Sequence, residues 1–150
     1  MIKLTAPDGS AVEIDGRLVQ RLRQTVSGEN SQAKTRIDWV VISFVKEQVD
    51  QAARLVKAEL PSLAVLTALE DRKVWFDGKQ AIGPLPITPS QQNSGFKSSI
   101  KIMGYRQYVV ETPAEVRAVI RAAGGTPLNT GRSQLPRARR QRAVRGMRRK

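Results

Sequence analysis

Two stretches of alternating apolar and polar residues, 4–16 and 66–78, lie 62 residues apart and match at six of thirteen positions. In each, alternation on both sides of a turn predicts a β-hairpin. The predicted turns are Pro7-Asp8-Gly9 in the first stretch and Glu70-Asp71 in the second. Similar segments at a nearly constant spacing predict a tandem duplication. The alternative is two unrelated α+β halves that happen to use common turn residues.

Each half then continues through the same succession of patterns. A short third strand, a polar loop, a strand pair rich in β-branched and aromatic residues, and a helix follow in order. The first half places them over residues 18–22, 27–34, 35–45 and 46–59. The second half places them over 81–87, 89–94 and 96–110, with a helix after Thr112.

The second helix carries the clearer boundary signals. Thr112 can cap it, Pro113 suits its first position, and Glu115 completes a capping box. Gly124-Gly125 marks its end. An apolar stripe at helical spacing faces the core and comprises Val116, Val119, Ile120 and Ala123.

These patterns predict an α+β fold of two tandem small units. Each unit consists of antiparallel β-hairpins, for which a small barrel is one arrangement, closed by a C-terminal helix. The predicted boundaries are 1–60 and 61–125, followed by a linker and Arg-rich tail over 126–150. The patterns leave open whether the two units share one core.

The basic residues are concentrated at the C-terminus. The chain has a net charge of +13, of which residues 132–150 supply +9 and residues 1–131 only +4. We predict that the tail binds polyanions through Arg132, Arg137, Arg139, Arg140, Arg142, Arg145, Arg148, Arg149 and Lys150.

The sequence allows three roles for this tail: binding to nucleic acid, binding to an acidic protein surface, or no binding role. Guanidinium groups bind phosphates and carboxylates through paired hydrogen bonds, so nucleic acid and an acidic protein surface both remain open. A run of like charges also resists collapse, so a solvated terminus that only aids solubility is the third interpretation.

The titratable residues argue against catalysis. The chain contains no cysteine and no histidine, which removes the common nucleophile–base pairs and zinc sites. Glu70 and Asp71 fit a solvated turn, and Asp15 and Asp77 precede glycines as turn formers. We therefore predict no enzyme, no catalytic residue, no metal and no cofactor.

Tyr105, Arg106 and Tyr108 form the candidate stacking surface for nucleic-acid bases, because they cluster beside a predicted turn at Gly104. Packing within the hairpin is the alternative role for these three residues. Trp39 and Trp75 are predicted to pack against the core, with base stacking as the alternative.

Two segments carry a family resemblance. The first is the opening Met1-Ile2-Lys3-Leu4-Thr5 with Asp8-Gly9 and Val12. The second is the later Ile100-Lys101-Ile102 with Gly104, Tyr108-Val109-Val110-Glu111-Thr112, Glu115-Val116 and Ile120. Together they resemble the FlbD/SwrD-type short bacterial proteins linked to flagellar regulation and motility. The resemblance implies a strand-turn-strand unit followed by a strand and a helix, without catalytic residues. The duplication and the Arg-rich tail depart from that family.

We expect a non-catalytic structural or assembly protein, a capsid- or head-associated component of a bacteriophage virion, in an oligomeric context. Its body would dock on a neighbour while the tail contacts acidic subunits or packaged nucleic acid. The alternative is a small nucleic-acid-binding regulatory protein. The absence of cysteine and of a signal-peptide pattern predicts a virion or the bacterial cytoplasm. The sequence has no long apolar run, and we therefore predict no contact with a membrane.

Overall fold

The computed structural model describes residues 1–129, which form ten short strands and three helices. The strands are β1 (Ile2–Thr5), β2 (Ala11–Ile14), β3 (Arg21–Gln24), β4 (Thr35–Asp38), β5 (Ile42–Val45), β6 (Leu63–Thr67), β7 (Lys73–Asp77), β8 (Ile82–Leu85), β9 (Ser98–Ile102) and β10 (Tyr105–Val109). The helices are α1 (Val49–Glu59), α2 (Pro89–Asn93) and α3 (Pro113–Ala122), and single 3₁₀ turns lie at Gly16–Leu18 and Leu69–Asp71.

Antiparallel pairing organises these strands into three sheets. β1 pairs with β2, and a three-stranded sheet has the order β10-β9-β8. The largest sheet has five strands in the order β5-β4-β3-β7-β6. The chain is therefore α+β with antiparallel sheets, as the alternating pattern predicts.

The five-stranded sheet joins the two halves of the chain through β3 and β7. Leu22 lies opposite Trp75, and Arg21 lies opposite Phe76. Since successive side chains point to opposite faces, Leu22 and Phe76 contribute to different sides of the sheet. Leu22 belongs to a buried cluster drawn from β1–β5, α1 and the start of β6, whereas Phe76 belongs to a second cluster with β9, β10 and α3. The two halves therefore have separate buried clusters, which lie on opposite sides of one continuous sheet.

Equivalent backbone contacts recur in the two halves. The Lys46 amide donates to the Thr5 carbonyl at 2.8 Å, and the Val110 amide donates to the Thr67 carbonyl at 2.8 Å. The partners are separated by 41 residues in the first half and by 43 in the second. The hairpins β1–β2 and β6–β7 also share a register, since Leu4 lies opposite Val12 just as Leu66 lies opposite Val74.

The glutamates that precede α1 and α3 tie each helix to a strand. The Glu47 carboxylate accepts from the Thr5 amide at 3.0 Å and from the Thr5 hydroxyl at 2.8 Å. The Glu111 carboxylate accepts from the Thr67 amide at 3.0 Å. These long-range hydrogen bonds fix the start of each helix against the first strand of its half.

The predicted polar loop over residues 89–94 is wrong, because α2 lies there. Thr88 and Gln91 form a capping box around this single helical turn, with Pro89 at its first position. The predicted start of the first helix at residue 46 is also too early, since α1 begins at Val49 after Gln48. One backbone hydrogen bond connects the segment after α3 to β8, from the Leu128 amide to the Gly83 carbonyl at 2.7 Å.

Candidate polyanion-binding site

The nine basic tail residues, from Arg132 to Lys150, lie outside the described residues. Their predicted role therefore stays a prediction about composition and charge. The described chain reaches Asn129, so the tail follows directly from the segment that Leu128 anchors to β8.

The candidate stacking residues all lie on β10, but they do not share a face. Arg106 lies opposite Lys101 and Tyr108 lies opposite Ser99, so these residues are on one side of the hairpin. Tyr105 lies opposite Ile102, on the side that Ile100 and Ile102 turn towards the core. The structure therefore brings Arg106 and Tyr108 together and separates Tyr105, whose side chain remains 63% exposed at the end of the strand.

A tight turn sets this arrangement. β9 and β10 are joined by Met103 and Gly104, both with positive φ, at 54° and 80°. Two such residues in succession make the hairpin turn that matches the natural twist of the strands. The register that follows from this turn places Lys101 directly across from Arg106.

An open cleft of about 480 Å³ lies on the face that carries Arg106 and Tyr108. Its walls come from the end of β8, the start of α2 and the outer face of β9 and β10. The lining residues are Pro86, Ile87, Thr88, Gln91, Lys101, Arg106 and Tyr108. The lining thus combines two cations and a tyrosine and contains no carboxylate.

The protein holds Arg106 in this cleft without neutralising it. One terminal nitrogen of its guanidinium donates to the Pro86 carbonyl and to the Ser99 hydroxyl, both at 3.2 Å. Neither Arg106 nor Lys101 forms an ion pair within residues 1–129. The half-buried ring of Tyr108 packs against Phe96, with ring centroids 5.5 Å apart and planes tilted by 45°.

A second pair of opposed cations, in the first half, shows how the chain neutralises such a pair internally. Arg23 on β3 lies directly opposite Arg36 on β4. The Glu29 carboxylate bridges them, at 2.7 Å from Arg23 and 3.2 Å from Arg36. The hydrogen bond from Arg23 is the main reason that the pKa of Glu29 falls from 4.5 to about 2.

The other charges on this part of the sheet are also compensated. Asp38 is buried and accepts from Arg21 at 2.7 Å and from Arg36 at 2.9 Å. Arg21 reaches further to the Gln107 side chain on β10, at 2.8 Å, and so links the two halves of the chain. Burying these arginines is tolerated because each has a carboxylate partner.

The carboxylates singled out in the sequence form no joint site within residues 1–129. Asp15 and Asp77 accept from the backbone amides of Arg17 and Lys79, two residues further on, as turn formers do. Glu70 lies in a turn with positive φ and pairs with Arg72. The described residues contain no cluster of three or more acidic side chains placed to hold a metal ion.

Both tryptophans pack against the core cluster of the first half. Trp39 and Trp75 are half-buried there, and the Trp39 indole nitrogen donates to the Ser43 hydroxyl at 2.9 Å. The predicted packing role is confirmed.

The prediction missed Lys101. The signal was present, because a two-residue turn at Met103-Gly104 forces Lys101 and Arg106 to face each other. Recognising it required the register of the hairpin in addition to the position of its turn. Within residues 1–129, no helix has the length and apolar content that crossing a bilayer requires.

Comparison with known protein families, with characterised proteins and with solved structures found no match to this chain. The resemblance to the FlbD/SwrD-type family therefore stays a prediction that rests on its short motifs.

Proposed function

We propose that this chain is a non-catalytic assembly protein that docks through its folded body and binds a polyanion through its C-terminal basic segment. The observation that carries the proposal is the separation of charge along the chain. Residues 132–150 hold nine basic side chains and no acidic one, whereas the remainder has a net charge of only +4. The arginines of the central sheet support this division, because each of them is already paired with Glu29 or Asp38.

We also propose that the body arose by tandem duplication into units 1–60 and 61–125. The recurring contacts of Thr5 with Lys46 and of Thr67 with Val110 support it, as does the shared hairpin register. Unrelated halves would have no reason to repeat long-range hydrogen bonds at a nearly constant spacing. The duplicated body provides a stable scaffold, and the tail adds a separate binding function.

The tip of the β4–β5 hairpin is the surface that we propose for docking on a neighbouring subunit. Val40, Val41 and Ile42 are consecutive, and each exposes more than half of its surface. Contiguous exposed apolar residues are typical of protein contacts. The strand β5 is also an edge of the large sheet. A bacteriophage particle is the setting we propose, with packaged nucleic acid or an acidic neighbouring subunit as the polyanion.

A tail variant tests this function. All eight arginines from Arg132 to Arg149 are replaced by glutamine in the full chain, and binding to labelled DNA and to polyglutamate is measured over a range of salt concentrations. Displacement of phosphate counterions should give the unmodified chain a steep salt dependence that the variant loses. Identical binding by the two proteins would reject the proposal. Competition between DNA and polyglutamate then identifies the preferred class of polyanion.

A small nucleic-acid-binding regulator is the second candidate. The observation that favours it is the cleft in the second unit, where Lys101 and Arg106 have no carboxylate partner among the described residues. A regulator would distinguish one nucleic-acid sequence from another, because its folded body would add specificity to the charge of the tail, whereas an assembly component would bind polyanions without such a preference. Competition among unlabelled oligonucleotides of different sequence separates the two candidates.

A further inference from the structure

Among the described residues, two opposed cation pairs lie on the sheets, and one of them has an anion between its members. Arg23 and Arg36 are bridged by Glu29. Lys101 and Arg106 face each other across β9 and β10 in the same way, with no carboxylate among the residues that line their cleft. Like charges directly opposite each other destabilise a sheet, because their Cβ atoms are only about 5 Å apart. A bound anion would relieve that repulsion.

We propose that this cleft binds single-stranded nucleic acid, with one phosphate between Lys101 and Arg106 and the adjacent base against Tyr108. The inference rests on the proposed polyanion-binding function and assigns it a second contact, on the folded body. The Glu29 bridge shows that two opposed basic side chains on these sheets can bind one oxyanion group. Phosphate oxygens can accept the same charge-assisted hydrogen bonds as a carboxylate.

The shape of Arg106 fits this role. Its contacts with Pro86 and Ser99 use one terminal nitrogen, which leaves the N–H groups on the other two nitrogens for a ligand. Because these contacts hold the side chain in place, little conformational entropy is lost on binding. Lys101 is exposed and forms no ion pair within residues 1–129, so it can adjust its ammonium group to the same phosphate.

The aromatic side of the cleft favours nucleic acid over an acidic peptide. Tyr108 lies on the same face as both cations, and its ring contacts Phe96 at a centroid distance of 5.5 Å. A nucleobase stacks on such a ring whatever its sequence, whereas a run of carboxylates gains nothing from it. A single strand is required because the bases of a duplex are stacked on each other and cannot reach the ring.

The equivalent positions of the first half lack this combination. A shift of 63–64 residues places Asp38, Ile42 and Phe44 where the second half has Lys101, Arg106 and Tyr108. Asp38 is an anion that is already bound to arginines. The site is therefore specific to the second half, whose strand β8 also anchors the segment leading to the tail.

The test uses the full chain and a fluorescein-labelled oligothymidylate, with anisotropy measured over a series of KCl concentrations. The cleft variants are Lys101→Gln, Arg106→Gln and Tyr108→Ala. The matched controls are Arg54→Gln, an exposed cation on α1, and Tyr105→Ala on the opposite face. Tyr108→Phe keeps the ring and should bind like the unmodified chain. Thermal melting establishes that each variant is folded.

Each charge variant should weaken binding and reduce the slope of log K against log salt by about 0.7, the value for one phosphate of a single strand. Tyr108→Ala should weaken binding by about tenfold with an unchanged slope, because stacking releases no counterion. Cleft variants indistinguishable from the controls would overturn the inference. So would equal losses for Tyr108→Ala and Tyr105→Ala, or, when the tail arginines are replaced by glutamine, stronger competition by polyglutamate than by unlabelled oligothymidylate.

The tail variant distinguishes a failure of the cleft inference from a failure of the proposed function. If the tail variant loses the steep salt dependence while the cleft variants behave like the controls, the proposed function stands and the cleft inference is wrong. If the tail variant binds like the unmodified chain, the proposed function fails whatever the cleft variants do.

Discussion

The Glu47 carboxylate receives both the amide and the hydroxyl hydrogen of Thr5, at 3.0 and 2.8 Å, across 42 residues of sequence. The corresponding Glu111 accepts from the Thr67 amide across 44 residues. The two contacts join the last part of each half to its first strand. Each one therefore holds together elements that are distant in sequence and whose relative position defines the fold.

Removing either carboxylate should destabilise the protein. Glu47→Ala should lower the free energy of unfolding by about 2 kcal/mol and Glu111→Ala by about 1 kcal/mol, since hydrogen bonds to charged groups are worth more than neutral ones and Glu47 accepts two. Urea denaturation measures both values. Glu13→Ala, which removes an exposed carboxylate on β2, serves as the control and should change little. A smaller effect for Glu47 than for Glu111 would contradict the account.

Gly78 and Gly16 occupy matching turns but differ in the space around them. A Cβ at position 78 would collide with the Ala123 side chain and lie 3.2 Å from the Ser62 carbonyl. A Cβ at position 16 would lie 2.8 Å from the Glu59 carboxylate and 3.0 Å from the Glu59 Cβ, and the carboxylate can move aside only by losing its hydrogen bond from the Gly16 amide. Gly78→Ala should therefore lower stability by about 2 kcal/mol, and Gly16→Ala by about 1 kcal/mol. Thermal melting measures the loss of stability in both variants, and equal losses would contradict this prediction.

Acid should weaken the protein through Glu29. Its pKa is about 2 in the folded chain and near 4.5 otherwise, so its ion pairs contribute fully above pH 4.5 and are lost as the pH falls towards 2. Glu29→Gln should lose about 2 kcal/mol at pH 7, because Arg23 and Arg36 then face each other without an anion. The difference between the two proteins should shrink between pH 4.5 and 2. Urea denaturation at a series of pH values checks this, and a constant difference over that interval would refute it.

Local elements of the fold could be predicted where neighbouring residues determine them. The turn at Pro7-Asp8-Gly9 and the alternation around it give β1 and β2 their observed bounds. Thr112 and Glu115 form the capping box that begins α3. The helix α2 carries the same kind of signal in Thr88 and Gln91, but it lacks an apolar stripe, and so its segment was predicted to be a loop.

Contacts between the halves could not be predicted, because tertiary packing determines them. Nothing in the sequence near Leu22 indicates that β3 pairs with β7 rather than ending the sheet. The candidate site was predicted in part for a related reason. The sequence groups Tyr105, Arg106 and Tyr108 by residue type, whereas the register of the hairpin places Tyr105 on the other face and adds Lys101.

The central claim is that a nearly neutral folded body and a basic C-terminal segment have separate tasks. Deleting residues 132–150 tests it when thermal melting and DNA binding are measured on the same preparation. The account predicts a Tm within about 3 °C of the full chain. It also predicts that affinity at low salt falls by about a hundredfold or more, leaving only the weak salt dependence of the cleft. A largely unfolded truncated chain, or one that binds DNA as tightly as the full chain, would contradict the account.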